Sequence, residues 1–118
     1  MEIIIYHNPR WKKSRESVKI LEKEQVSFRK IEYFKNQISR KEINNILNIL
    51  DIGIEDLIRK NELEFKSIND DDKKNKNILI ELILNHPKVM QRPVIINDKK
   101  GVIGRPPENV YKILWIYN

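Results

Sequence analysis

No cysteine occurs anywhere in the 118 residues. Its absence excludes disulfides, thiolate metal sites and every mechanism in which a cysteine of this chain is the nucleophile or the redox switch. Histidine is nearly absent too: His7 and His86 stand far apart with no clustered partners, which leaves no metal-site signature. No run approaches the roughly 18 apolar residues that a membrane-spanning helix needs, which argues against an integral membrane protein. The opening MEIIIYHNP enters a short apolar run without a basic leader or a small-residue cleavage site, so the expected location is the cytoplasm.

What is there describes a globular protein: 40% apolar and 34% charged residues, at a length suited to one compact domain. The excess of 23 Lys and Arg over 17 Asp and Glu, formally +6, suits an anionic partner such as nucleic acid, an acidic protein or an oxyanion. It also suits a merely solvated surface, because the lysines are dispersed and partly offset by neighbouring acids, as in Glu22-Lys23-Glu24. No basic stretch is interleaved with stacking aromatics, so there is no direct nucleic-acid motif.

Residues 2–6 (EIIIY) read as a strand buried on both faces, which implies a parallel neighbour. From Ser14, a candidate N-cap, to about Glu24, Val18, Leu21 and Ile20 sit among Lys and Glu as an amphipathic helix. Val26 to Tyr33, with β-formers Val26, Phe28, Ile31 and Tyr33, reads as a second strand and completes a βαβ unit. Ser39-Arg40-Lys41-Glu42 is a capping box, followed by Ile43, Ile46, Leu47 and Leu50 at helical spacing until Gly53. A short helix is expected at Ile54 to Arg59, a polar loop at 69–77, and a helix carrying Leu79, Leu82 and Ile83. Val94-Ile95-Ile96, the turn at 97–101 and Val102-Ile103 read as an antiparallel hairpin. Pro106-Pro107-Glu108 then starts a terminal helix with Val110, Ile113, Leu114 and Tyr117 on its apolar face. Trp115 and Tyr117 fit either a partner-binding patch or a cover for the core.

That order, βαβ, helices, ββα, matches a thioredoxin-like α/β fold with a four-stranded mixed sheet and a helical insertion at about 39–86 in a single domain spanning 1–118. Three segments carry a more specific resemblance. The first is Tyr6-His7-Asn8-Pro9-Arg10-Trp11-Lys12-Lys13-Ser14-Arg15; the second is Asp56-Leu57-Ile58-Arg59-Lys60-Asn61-Glu62. The third is His86-Pro87-Lys88-Val89-Met90-Gln91-Arg92-Pro93-Val94, running into Gly104-Arg105-Pro106-Pro107-Glu108. In this order they resemble the glutaredoxin-coupled arsenate reductase family, which also contains the Spx-type transcriptional regulators.

The resemblance implies an active-site loop at the N-terminus of the first helix, where a cysteine thiolate is stabilised by the helix dipole and free amides. Those amides and distant arginines hold the oxyanion, and glutathione with glutaredoxin completes the reduction. Residue by residue, the anion ligands it implies are Ser14, Arg59, Arg92 and Arg105, with His7 and Asn8 in the loop and Pro93 as a cis-proline, against a plain trans proline. The nucleophile is missing. Trp11 stands in its place, and the small pair after it has become Lys12 and Lys13.

An indole cannot attack arsenic, so thiol catalysis is excluded for this chain and no catalytic residue is assigned. The arginines fit either a retained oxyanion pocket or surface ion pairs and loop packing. Trp11 is large enough to plug such a pocket, and His7, without a thiol to tune, fits a scaffold role. The expectation is a non-catalytic protein of this fold that binds arsenate, phosphate, sulfate or an acidic partner. It needs no cofactor, and glutathione enters only if the family's activity survived. The alternatives are an arsenate reductase by resemblance and an Spx-like adaptor binding RNA polymerase.

Overall fold

Three consecutive isoleucines and a tyrosine form β1 (Ile3–Tyr6), one of the two inner strands of the sheet, with Ile3, Ile5 and Tyr6 buried. In the computed structural model, which describes residues 2–114, four strands run in the order β2-β1-β3-β4. β1 pairs parallel with β2 (Phe28–Ile31), and antiparallel with β3 (Val94–Ile96), which pairs antiparallel with β4 (Gly101–Ile103). A parallel βαβ half and an antiparallel hairpin half thus share the central pair, as the α/β thioredoxin-like reading requires. Trp115 and Tyr117 lie outside the described residues.

The connection between β1 and β2 is α1 (Lys12–Lys23), which buries Ser14, Ser17, Val18 and Leu21 at spacings of three and four. It starts two residues before the expected Ser14. Trp11 occupies the N-cap position without a side-chain hydrogen bond, and Ser14 sits inside the first turn because its hydroxyl is committed to the preceding loop. The helix closes through Gln25, whose left-handed φ of 56° lets Val26 N–H reach Leu21 O at 3.4 Å. The second strand is shorter than the β-formers suggested, spanning only Phe28–Ile31. After β4 the chain turns through a 3-10 segment, Pro107–Val110, into α6 (Tyr111–Leu114). Ile3, Ile5, Val18, Leu21, Ile95, Val110 and Ile113 form one apolar core between the sheet, α1 and this terminal segment.

These elements belong to one compact unit, Met1–Asn36 with Arg92–Asn118; Gln37–Gln91 form a second. The second unit is helical. α2 (Arg40–Leu50) starts at the capping box, with Ser39 Oγ accepting from Glu42 N–H and the Glu42 carboxylate accepting from Ser39 N–H, both at 3.0 Å. It ends earlier than Gly53, at Asp51 with a left-handed φ of 55°; Gly53 instead caps α3 (Ile54–Leu57). α3 stops before Arg59, because an isolated bridge between Ile58 and Met90 pulls the chain into extended geometry. Its flanking bonds are Arg59 N–H to Val89 O at 2.6 Å and Gln91 N–H to Leu57 O at 2.7 Å. α4 (Leu63–Lys66) has no counterpart in the sequence reading, and the polar loop holds a 3-10 turn at Asp72–Lys74. α5 (Lys76–Asn85) buries Leu79, Ile80 and Ile83 and packs on α2 and α3. None of the described helices is long and apolar enough to cross a membrane.

Candidate functional site: a cationic pocket at the start of α1

Tyr6 pairs with Val94, and Val94 with Ile103. These three residues form one row at one end of the sheet. Whatever leaves β1, enters β3 or leaves β4 next to that row is therefore held together: the loop 7–11, Arg92-Pro93 and Gly104-Arg105. The peptide bonds Arg92–Pro93 and Arg105–Pro106 are both cis. Gly104 N–H donates to Pro93 O at 2.8 Å, tying the two proline segments to each other. Asn109 clasps the second segment, its Nδ2 donating to Ile103 O at 3.0 Å and Arg105 O at 3.2 Å.

The loop is built from polar groups turned inward. His7 and Asn8 are buried and Ser14 fully so. His7 Nδ1 and Ser14 Oγ share a hydrogen bond of 2.7 Å, and Ser14 Oγ also accepts from Asn8 N–H at 3.1 Å. Asn8 Oδ1 accepts from Arg10 N–H at 2.9 Å, the local turn to which Asn is suited. Burial holds the His7 imidazole below its ordinary pKa, with the Lys30 and Arg15 charges acting in the same sense and Glu32 against them. At neutral pH, His7 is therefore an uncharged strut between β1 and α1.

A cavity of about 270 Å³ opens beside this loop, lined by Arg10, Trp11, Lys12, Lys13, Ser14, Arg92 and Arg105. Trp11 forms a wall of it. The Arg92 guanidinium lies over the indole, 3.1 Å from the ring centroid, and Phe34 meets that ring at 4.9 Å in a T-shaped arrangement. At residue 11 the neutral π face of the indole thus gives Arg92 a cation-π partner.

Five of the seven lining residues are cationic and none is acidic. Three of them precede or occupy the first turn of α1, which contains no acid. Cations there oppose the positive end of the helix dipole, typically by about 0.3–1 kcal/mol each. Arg10, Lys12, Lys13 and Arg105 take part in no salt bridge among the described residues. Among the described residues, no three His, Asp or Glu side chains gather to hold a metal ion.

The structure brings Trp11, Lys12, Lys13, Ser14, Arg92 and Arg105 to one cavity, with His7 and Asn8 bracing it. Arg59 belongs to the second unit, where its guanidinium pairs with Glu62 at 3.2 Å and is mostly buried. Sequence reasoning passed over Arg10, although it lies inside the quoted loop motif. Gly104 likewise lies inside a quoted motif without an assigned role, and Phe34 and Asn109 were not singled out; the roles of all three depend on contacts that no local pattern carries.

A βαβ and ββ arrangement with a helix N-terminus facing a cis-proline segment defines a thioredoxin-like protein with a cationic site. The ArsC family model matches residues 6–113. The chain is 36% identical to the arsenate reductase of Haemophilus influenzae over 116 residues, 97% of this chain and 100% of that one. It superimposes on the arsenate reductase of Vibrio cholerae with a TM-score of 0.88 at 30% identity, covering 96% and 98% of the two chains. It is also 26% identical to the regulatory protein MgsR of Bacillus subtilis over 113 residues, 95% of this chain and 90% of that one. The chain belongs to the ArsC family, as a member without the cysteine.

Proposed function

We propose that this protein is a binding member of the ArsC family, active in the cytoplasm, that holds an anion at the α1 pocket and performs no thiol chemistry. The observation that carries this is the pairing of an acid-free pocket bearing five cationic side chains with Trp11 at the position where the family pattern has its nucleophile. The recognised group is an oxyanion, and arsenate, phosphate and sulfate are the probes. Binding needs no cofactor. Arg59 is attached to this reading by family resemblance alone, so its place among the ligands rests on whether Arg59→Ala weakens binding.

Two measurements test the proposal. Purified protein supplied with arsenate, glutathione and glutaredoxin should give no reduction above a buffer control, and sustained turnover would restore the reductase reading. Anion titration of a Trp115→Phe background, read by Trp11 fluorescence and by amide shifts, should move Trp11, Arg92 and Arg105 together. Saturating anion without any such change would remove the pocket as a binding site.

A second reading is a regulator that docks on another protein, for which the likeness to the regulatory protein MgsR is the supporting observation. In that case the same basic surface would take an acidic segment of the partner. Affinity capture from the native cell, followed by loss of the captured protein in a Lys12→Glu, Lys13→Glu variant, distinguishes docking at this face from docking elsewhere.

A further inference from the structure

The hydroxyl of Ser14 has one hydrogen to place, and the loop gives it one acceptor. Ser14 is fully buried, and among the described residues its Oγ meets two groups. Asn8 N–H donates to it at 3.1 Å, and His7 Nδ1 lies at 2.7 Å. Ser17, three residues further along α1, sends its hydroxyl to Lys13 O at 2.9 Å; Ser14 makes no such bond to the helix. The Ser14 hydrogen therefore goes to Nδ1, which must carry none of its own. The ring hydrogen of neutral His7 then sits on Nε2, which has no protein partner and is not sealed from solvent.

A second proton can enter this ring only at Nδ1, in the 2.7 Å gap that the serine hydrogen already fills. From this geometry we infer a proton-operated latch. Neutral His7 fastens the end of β1 to the first turn of α1 through Ser14, and protonation of Nδ1 unfastens the loop at residues 8–13 while the sheet persists. The latch works in the free protein and does not depend on the anion-binding reading.

Two features keep the bond from simply reversing. Ser14 Oγ would have to accept from both Nδ1 and Asn8 and leave its own hydrogen without an acceptor in a fully buried place, which is costly. Nor do the surrounding charges hold an imidazolium there. Lys30 on β2 and Arg15 on α1 oppose it, and Glu32, just after β2, attracts it. Water serves the charged ring better. The rest of the loop hangs from the same point. Asn8 O accepts from Trp11 N–H at 3.1 Å, and Asn8 Oδ1 from Arg10 N–H at 2.9 Å. A displaced Asn8 thus carries the turn with it and draws the indole away from Arg92. Opening should grow as pH falls from the ordinary 6.5 to the lower midpoint of the latched ring, and level off below it.

The test is an NMR titration of the full Trp115→Phe chain from pH 8 to pH 4, with Trp11 fluorescence read in parallel. At pH 8, His7 Nδ1 should show the shift of a bare ring nitrogen and Nε2 that of an N–H. The protection of Asn8 N–H against exchange should fall about tenfold for every unit by which the measured His7 midpoint lies below 6.5. Trp11 emission should change with that midpoint, and the Ile95 and Val102 shifts should stay in place. Ser14→Ala removes the competing hydrogen and should raise the His7 midpoint. His7→Asn supplies an acceptor that does not titrate, and should keep Asn8 protected and Trp11 emission constant.

An Nδ1–H tautomer at pH 8 would overturn the inference, and so would proton uptake by His7 with the Asn8 protection unchanged. These two readings need no change at His7 and decide the matter if His7→Asn does not fold. Loop opening that persists in His7→Asn would assign the switch to another group, and a midpoint unmoved by Ser14→Ala would remove the hydroxyl from it; either result also overturns the latch.

Discussion

Gly104→Ala puts a single methyl group where the site's segments are sewn together. A Cβ built at Gly104 lies 2.7 Å from Ser17 Oγ, 2.8 Å from Pro93 Cγ and 3.1 Å from Ile95 Cδ1. Two of these atoms, Ser17 Oγ and Ile95 Cδ1, end their side chains, but neither is free to swing away. Ser17 Oγ is held by its bond to Lys13 O at 2.9 Å, Pro93 is a ring, and Ile95 is fully buried in the core. The backbone of residues 104–105 must therefore move away from α1 and β3, with the strain of an overpacked core, about 1–3 kcal/mol. At this chain length, 1 kcal/mol shifts Tm by about 4 °C, so the expected drop is about 4–12 °C. Gly53→Ala is the steric control, since nothing lies within 4 Å of its Cβ; because Gly53 is the N-cap of α3, where alanine is disfavoured, it should cost up to about 1 kcal/mol with amide shifts confined to α3. Urea and thermal melts of both variants, with amide shifts around Ser17, Val94 and Arg105, check the effect. Equal stability of Gly104→Ala and wild type would refute the close approach, and with it the account of how Arg92 and Arg105 are held side by side.

The remaining expectations follow from caps, charge and titration. Ser39→Ala removes one half of the capping box and should cost about 0.5–2 kcal/mol in urea melts, most of it restored by Ser39→Asp. Lys12→Glu replaces a cation with an anion at the start of α1, removing one unfavourable and adding one favourable charge, and should stabilise the fold by about 0.6–2 kcal/mol at low salt while weakening anion binding; the gain should shrink as salt is added. His7 has a folded pKa below the ordinary 6.5, so across the window between the two values the unfolded chain binds the extra proton. Stability should then rise with pH through that window and be lost as pH falls below 6.5. In urea midpoints measured from pH 5 to pH 8, His7→Gln should flatten that slope, and an unchanged slope would show that other groups produce it.

What was legible in the sequence was local chemistry. The Ile3–Tyr6 run, the Ser39–Glu42 box and the 94–103 hairpin declare themselves because burial on two faces, reciprocal capping and a polar turn each leave a pattern within a few residues. Ser14 misled because its residue type suits an N-cap, yet the buried His7 and Asn8 offer its hydroxyl stronger use. Gly53 misled in the same manner. Asp51 adopts the left-handed turn, and glycine serves the next helix instead. The cavity's composition was largely readable from the motifs, whereas the Trp11–Phe34–Arg92 stack was not, since its members come from three segments joined only by the sheet register.

That stack also changes what the cysteine's absence means physically. A small neutral side chain at residue 11 would offer Arg92 no cation-π partner. The indole instead gives Arg92 an electron-rich face, and Phe34 holds that ring edge-on. Arg92 is thereby positioned by contacts that need no negative charge at residue 11. Trp11→Ala should accordingly weaken anion binding through the loosened guanidinium, and Trp11→Phe, which keeps a π face, should retain most of it. The two variants differ in ring and not in charge, so equal losses would show that the indole contributes only bulk, and equal retention would show that Arg92 is held without it.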